Sequence, residues 1–190
     1  MNAIPRRVAL PNGWWGMAVF VAAEAALFGS LIASYFFLRS KAAAWPPGDI
    51  APPEVVLPLV LTGILVTTSA PLQLASLAAR GGRAGAAALA LLVALAVQVG
   101  YFVVQAHLYA DDLAKSPPEE SAYSSIYFTL LGAHHAHVLV GIMLALWLVL
   151  RLLTGLTPYR VTAVRAIVFY WHFVNVAAVL VVLTQLSPSL

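Results

Sequence analysis

Cysteine is absent from the chain. It therefore forms no disulfide and supplies no thiolate to zinc, to copper or to an iron–sulfur cluster, and the redox state of its compartment stays open. Charge is scarce as well: 9% of residues are Asp, Glu, Lys or Arg, against about 25% in a soluble domain. What fills the 190 residues instead is apolar, 62% by count, with mean hydropathy +0.92. That balance leaves little room for a soluble domain and describes an integral membrane protein. The net charge is +3, but the basic residues flank apolar stretches, so their sign speaks to orientation in a bilayer and not to nucleic acid. There is no phosphate loop, nucleophile–base pair or metalloprotease motif.

Apolar runs of bilayer-crossing length fall at about 14–38, 55–79, 86–109, 123–150 and 161–186. They predict an all-α fold, a bundle of five transmembrane helices in a single transmembrane domain over 1–190. The first run is too long for the h-region of a cleaved signal, about 7–15 residues, and no small-residue cleavage site follows it. Within it Ala18, Ala22, Ala25, Gly29 and Ala33 form a stripe that would let another backbone approach. Trp14, Trp15, Tyr35 and Phe36 stand where an aromatic belt is expected. Pro71 should kink the second span. Gln98, Phe102, Gln105 and Tyr109 recur along one face of the third.

Five spans put the two chain ends on opposite sides. Arg6, Arg7, Arg80, Arg83, Arg151 and Arg160 share one side, with Arg165 close enough to reach it. Arg39, Lys41, Lys115 and every acidic residue except Glu24 share the other. The positive-inside rule then places the N-terminus in the cytoplasm.

Glu24 is the only ionisable group inside the first span. Its helical neighbours Phe20, Val21, Leu27 and Phe28 cannot exchange a proton with it, so its partner must come from another helix, a water or a lipid. A charged carboxylate at mid-bilayer costs about 2.5–3.5 kcal/mol on insertion scales, and intramembrane acids are functional candidates by default. The alternative is a structural hydrogen bond between helices. The histidines are His107, His134, His135, His137 and His172. His134 and His137 share a face, whereas His135 points about 100° away. His107, His134 and His172 fall at unmatched depths for an axial haem pair, so satisfied structural histidines are the expectation over haem or metal ligation. The other spans hold no acid, so a complete proton path through this chain alone is not expected.

An ordered set of short motifs resembles subunit III of the haem–copper terminal oxidases, in its five-helix bacterial form. Gly16-Met17 opens the first helix, and Ala23-Glu24 is similar to that family's Ser-Glu. Tyr35-Phe36 is followed by Trp45-Pro46-Pro47. Gln105 to Tyr109 is similar to Gln-x-x-Glu-Tyr, and Gly132-x-His134-x-x-His137-Val138 to Gly-Phe-His-Gly-Leu-His-Val. Tyr170-Trp171-His172-Phe173-Val174 matches Tyr-Trp-His-Phe-Val-Asp up to its last position. The departures are Leu108 for glutamate, Ala133 for an aromatic, His135 for glycine, Arg165 for an acid and Asn175 for aspartate.

The resemblance implies a non-catalytic subunit with no redox centre of its own, the haem and copper lying in a partner catalytic subunit. The implied partners are subunits I and II of a cytochrome c or quinol oxidase, together with membrane lipid. The implied location is the bacterial inner membrane, and the implied role is support of aerobic electron transport and of proton uptake and pumping by the catalytic subunit. Glu24 corresponds to a carbodiimide-reactive carboxylate. Glu24, His134, His137, Trp171 and His172 would form a shared polar interior, with Gln105 and Asn175 as further polar-interior or lipid-binding residues. Bound phospholipid is expected, in a cleft completed by another chain. An accessory subunit of a bacterial nitric-oxide reductase with the same fold is the alternative, and an unrelated carrier or haem-binding membrane protein is the third reading.

Overall fold

The computed structural model describes residues 12–48, 50 and 52–189. Arg6 and Arg7, two of the arginines in the orientation argument, lie outside the described residues. Helices dominate: α1 (Asn12–Lys41), α2 (Val56–Thr67), α3 (Ser69–Arg80), α4 (Ala84–Lys115), α5 (Ala122–Leu152) and α6 (Pro158–Leu186). Because α2 and α3 run on as one span, five helical segments are long and apolar enough to cross a membrane. Most extend beyond the apolar runs that announce them, since helix continues into the polar interface; α4 reaches Lys115.

The sequence explains where the helices stop. Pro71 has no N–H to give the carbonyl of Thr67, and the helix breaks one residue later, at Thr68, whose own N–H turns back to Leu65 O at 3.1 Å. At the tight turn after α3, Gly82 takes φ +73°, a conformation open to glycine at little cost. That lets the Arg83 N–H reach Ala78 O at 2.9 Å. Ser121 caps α5 by accepting the Ser124 N–H. Thr157 caps α6 in the same way, with Pro158 in the first turn.

Helix α6 is the axis of the bundle and packs against α1, α2, α3 and α5, while α4 closes the far side against α3 and α5. Helix α1 touches only α5 and α6 to any extent. It does so through a narrow seam in which Trp14, Met17, Val21, Glu24, Phe28, Leu31, Tyr35 and Leu38 are buried or half-buried. These positions alternate three and four apart, the 3.5-residue period of knobs-into-holes packing. The seam is made of large side chains. The small-residue stripe faces away from the rest of this chain: Ala22, Ala25 and Ala33 are exposed, and nothing lies within 4 Å of a Cβ placed on Gly29. Tyr35 also departs from expectation. It is fully buried, not an interfacial belt residue, and packs edge-to-face on Trp45 at 5.3 Å. Trp45 in turn meets Tyr123 at 5.1 Å, which fastens the loop after α1 to the start of α5.

The basic and acidic ends separate as the spans require. Arg80, Arg83, Arg151 and Arg160 gather where α3 and α5 end and α4 and α6 begin. Glu54, Asp111, Asp112, Glu119 and Glu120 stand at the opposite end with Arg39, Lys41 and Lys115.

Candidate functional site

Glu24 enters the seam of α1 because it occupies a seam position, with Val21 and Phe28 on either side. Across the interface stands His137 of α5. Its Nε2 lies 2.9 Å from Glu24 Oε2, the only ion-pair contact among the described residues. The side chains keep 13% and 21% of their surface, His137 first, so the pair sits at the edge of the bundle and not in its centre.

The protonation of this pair follows from its geometry. His137 Nδ1 is 2.7 Å from Ala133 O. A carbonyl oxygen only accepts, so Nδ1 carries the hydrogen. If the ring is neutral, Nε2 is then an acceptor and the Glu24 carboxyl must donate to it. If the ring is an imidazolium, Nε2–H donates to a carboxylate. In both of these arrangements the two groups share one proton and are neutral together, the form a low-dielectric setting tolerates. Two rings hold the imidazole, and a third neighbour holds the backbone that carries it. Phe28 packs at 5.0 Å and Phe173 at 6.3 Å between ring centroids, and the Tyr170 hydroxyl donates to His137 O at 2.9 Å, tying α6 to the same turn.

The other expected site residues do not join this pair. His134 shares a face with His137 only loosely. Three residues turn a helix through about 300°, leaving some 60° between the two side chains. That is enough to direct His137 to α1 and His134 to α4. There His134, 1% exposed, has Nε2 3.4 Å from the Tyr101 hydroxyl, which accepts from Gln105 Nε2 at 3.2 Å. Gln98, Tyr101 and Gln105 form the buried polar line of α4. Phe102, which the sequence puts on that face, packs instead on His135.

Asn175 donates to Ser69 Oγ at 2.9 Å and to Thr68 Oγ1 at 3.4 Å, bracing the break between α2 and α3. Trp171 is fully buried and lies against Gly141, where a Cβ would meet its ring at 2.7 Å. His172 is half-buried, in a shallow groove with Ser69 and Asn175 on the outer face of α6. His107 is exposed and its Nδ1 donates to Val103 O. The single polar interior expected from the motifs is therefore three separate clusters. Among the described residues, no three His, Asp or Glu side chains are grouped to hold a metal ion.

Two features escape a reading of the sequence. Gly141 looks like any small residue in a span until the indole it accommodates is known. Tyr101 carries a signal that could have been found, its three- and four-residue spacing from Gln98 and Gln105.

Residues 8–186 match the family described as cytochrome c oxidase subunit III. The chain is 33% identical over 186 residues to a cytochrome c oxidase subunit 3 of Corynebacterium diphtheriae, covering 92% of this chain and 89% of that one. It is 32% identical over 171 residues to a cytochrome bo(3) ubiquinol oxidase subunit 3 of Pseudomonas aeruginosa, covering 87% and 79%. A haem–copper oxidase subunit I+III of Aeropyrum pernix is 30% identical over 174 residues, 87% of this chain and 21% of that longer one. With five membrane-crossing helices, the ordered motifs and a match over nearly its whole length, this chain belongs to the cytochrome c oxidase subunit III family, the accessory subunits of haem–copper oxidases.

Proposed function

We propose that this chain docks on subunits I and II of an oxygen-reducing haem–copper oxidase and sustains proton uptake and pumping by the catalytic subunit, without reacting itself. The observation that carries the proposal is the Glu24–His137 contact at the rim of the bundle, between α1 and α5, where two groups able to share a proton meet. A proton-holding group at that position can exchange with a neighbouring chain or lipid, whereas one in the bundle centre could not. The fused I+III relative supports subunit I as the neighbour. The arginines gathered at one end support an N-terminus in the cytoplasm of a bacterial inner membrane. Phospholipid lies against the partly exposed Glu24 and His137 and, separately, in the groove at His172. His134, Gln105, Trp171 and Asn175 serve as the interior framework.

The test is removal of this chain from the purified oxidase. Initial turnover should persist, while proton-to-electron stoichiometry and the number of turnovers before inactivation fall. Unchanged pumping and lifetime would count against the reading. A catalytic partner that reduces nitric oxide but not oxygen would assign the fold to the other class of complex.

A further inference from the structure

The acidic end of the bundle contains a cavity of about 610 Å³ between the loop before α2, the end of α4, the start of α5 and the end of α6. That volume is in the range of small-molecule sites, about 300–1,000 Å³. It is separate from the Glu24–His137 pair, and of its polar lining only Gln105 belongs to a cluster described above.

Its wall carries an excess of negative charge, among hydroxyls and amides that can both donate and accept. Glu54, Asp112 and Glu120 contribute three carboxylates against the single ammonium of Lys115. Glu120 is partly engaged by the Ser116 hydroxyl at 2.9 Å. Lys115, Glu54 and Glu120 are exposed and Asp112 is half-buried; Lys115 acts on the Asp112 carboxylate from a distance but does not approach it within ion-pair contact. Gln185 is 4% exposed, and its Nε2 donates to Tyr127 O at 3.1 Å. Since a carbonyl only accepts, that bond fixes the amide and leaves Oε1 as its free end. Tyr123 is 5% exposed and lines the cavity, and no hydrogen bond among the described residues ties its hydroxyl. A polar side chain so buried and so little engaged points to a ligand. Asp112, half-buried at the end of α4, lines the same cavity as Tyr123 and Tyr127.

We propose that this cavity binds a primary ammonium group, R–NH3+, with Asp112 as its counter-ion and the Gln185 amide oxygen and Tyr123 hydroxyl as further acceptors. An ammonium has three donors, no acceptor and a positive charge, which suits three carboxylates set against one lysine. The rings of Tyr123 and Tyr127 tolerate a cation beside them. A carboxylate or phosphate would meet the same three carboxylates and be repelled. The ammonium has two possible sources, a free small amine or the amine head of a lipid, and the chemistry of recognition is common to both.

The experiment uses the assembled oxidase that contains this chain, purified in mild detergent. Ethanolamine, choline and neutral 1-propanol are titrated by calorimetry. In parallel, the complex is exchanged into nanodiscs of phosphatidylethanolamine or phosphatidylglycerol and its retained lipids are read by native mass spectrometry. Saturable binding of ethanolamine, with choline and propanol at least tenfold weaker, supports the site and assigns it to a free amine. Retention of the amine-headed lipid alone supports it and assigns it to a headgroup. In either arm Asp112→Asn or Tyr123→Phe should weaken binding at least tenfold. Glu54→Gln, in the loop at the mouth, should weaken it severalfold and serves if the others fail to assemble. No saturable binding in either arm, equal binding of choline or propanol, or binding indifferent to all three substitutions overturns the proposal. So does a map of the complex with a partner chain's lysine or arginine filling the cavity.

Discussion

The Trp171 indole occupies the space that a side chain on Gly141 would need. A Cβ there would lie 2.7 Å from Cζ2 and 2.8 Å from Cε2, closer than real contacts come. The indole is fully buried between α5 and α6, so it has nowhere to retreat. Gly141→Ala should destabilise the subunit by about 1–3 kcal/mol, the usual cost of overpacking a filled core. A thermal melt of the complex in detergent, following loss of this chain, measures it. An unchanged midpoint would mean that α5 and α6 can part without cost.

Glu24→Gln should assemble normally, because an amide still bonds to His137, yet it should abolish labelling of this chain by a hydrophobic carbodiimide. Peptide mass spectrometry reads the label. Label that persists on the chain would identify another carboxylate as the reactive one.

The Glu24–His137 contact also predicts coupling. His137→Leu leaves the carboxyl without its partner and should cost about 1–3 kcal/mol. Glu24→Leu should cost a similar amount, and the double variant much less than the sum. A coupling energy of about 1 kcal/mol or more in a double-mutant cycle, measured as detergent resistance of the subunit, is the expected result. Additive losses would show that the two side chains meet without interacting.

Asn175→Leu removes the bonds to Ser69 and Thr68 that brace the break in the second span. Interhelical hydrogen bonds in membranes are worth about 0.6 kcal/mol on average and up to about 1.7, so the loss should lie in that range. Tyr170→Phe, which removes the bond to His137 O, should cost a similar amount and should also shift the carbodiimide reactivity of Glu24 as the turn of α5 that carries His137 loosens. Identical labelling rates in that variant would remove Tyr170 from the account of the site.

Much of the architecture is legible in the sequence. Spans register as long apolar runs, and the break at Thr68 follows from Pro71. The caps at Ser121 and Thr157 are of the ordinary kind. The packing face of α1 is not legible, because lipid and protein interior are both apolar and hydropathy cannot separate Phe28, which is buried, from Phe20, which is exposed. The partner of Glu24 is 113 residues away. The motif containing His134 and His137 singles out both imidazoles but cannot say which one turns toward α1. That choice is made by 60° of helix rotation and by where α1 lies, and both are tertiary facts. The acidic cavity is hidden for the same reason: Asp112, Tyr123 and Gln185 come from three helices and form no motif.

The 3.5-residue seam of α1 has one further consequence. An interface of hydrocarbon side chains repeating every seven residues looks much the same after a slip of one repeat, about 10.5 Å along the axis. Val21 would then stand where Phe28 stood, and in a lipid solvent little would object. Glu24 removes that degeneracy, for only one alignment delivers its carboxyl to an imidazole. The acid works as a dowel, and any change that frees it should let the first helix slide before it lets the helix go.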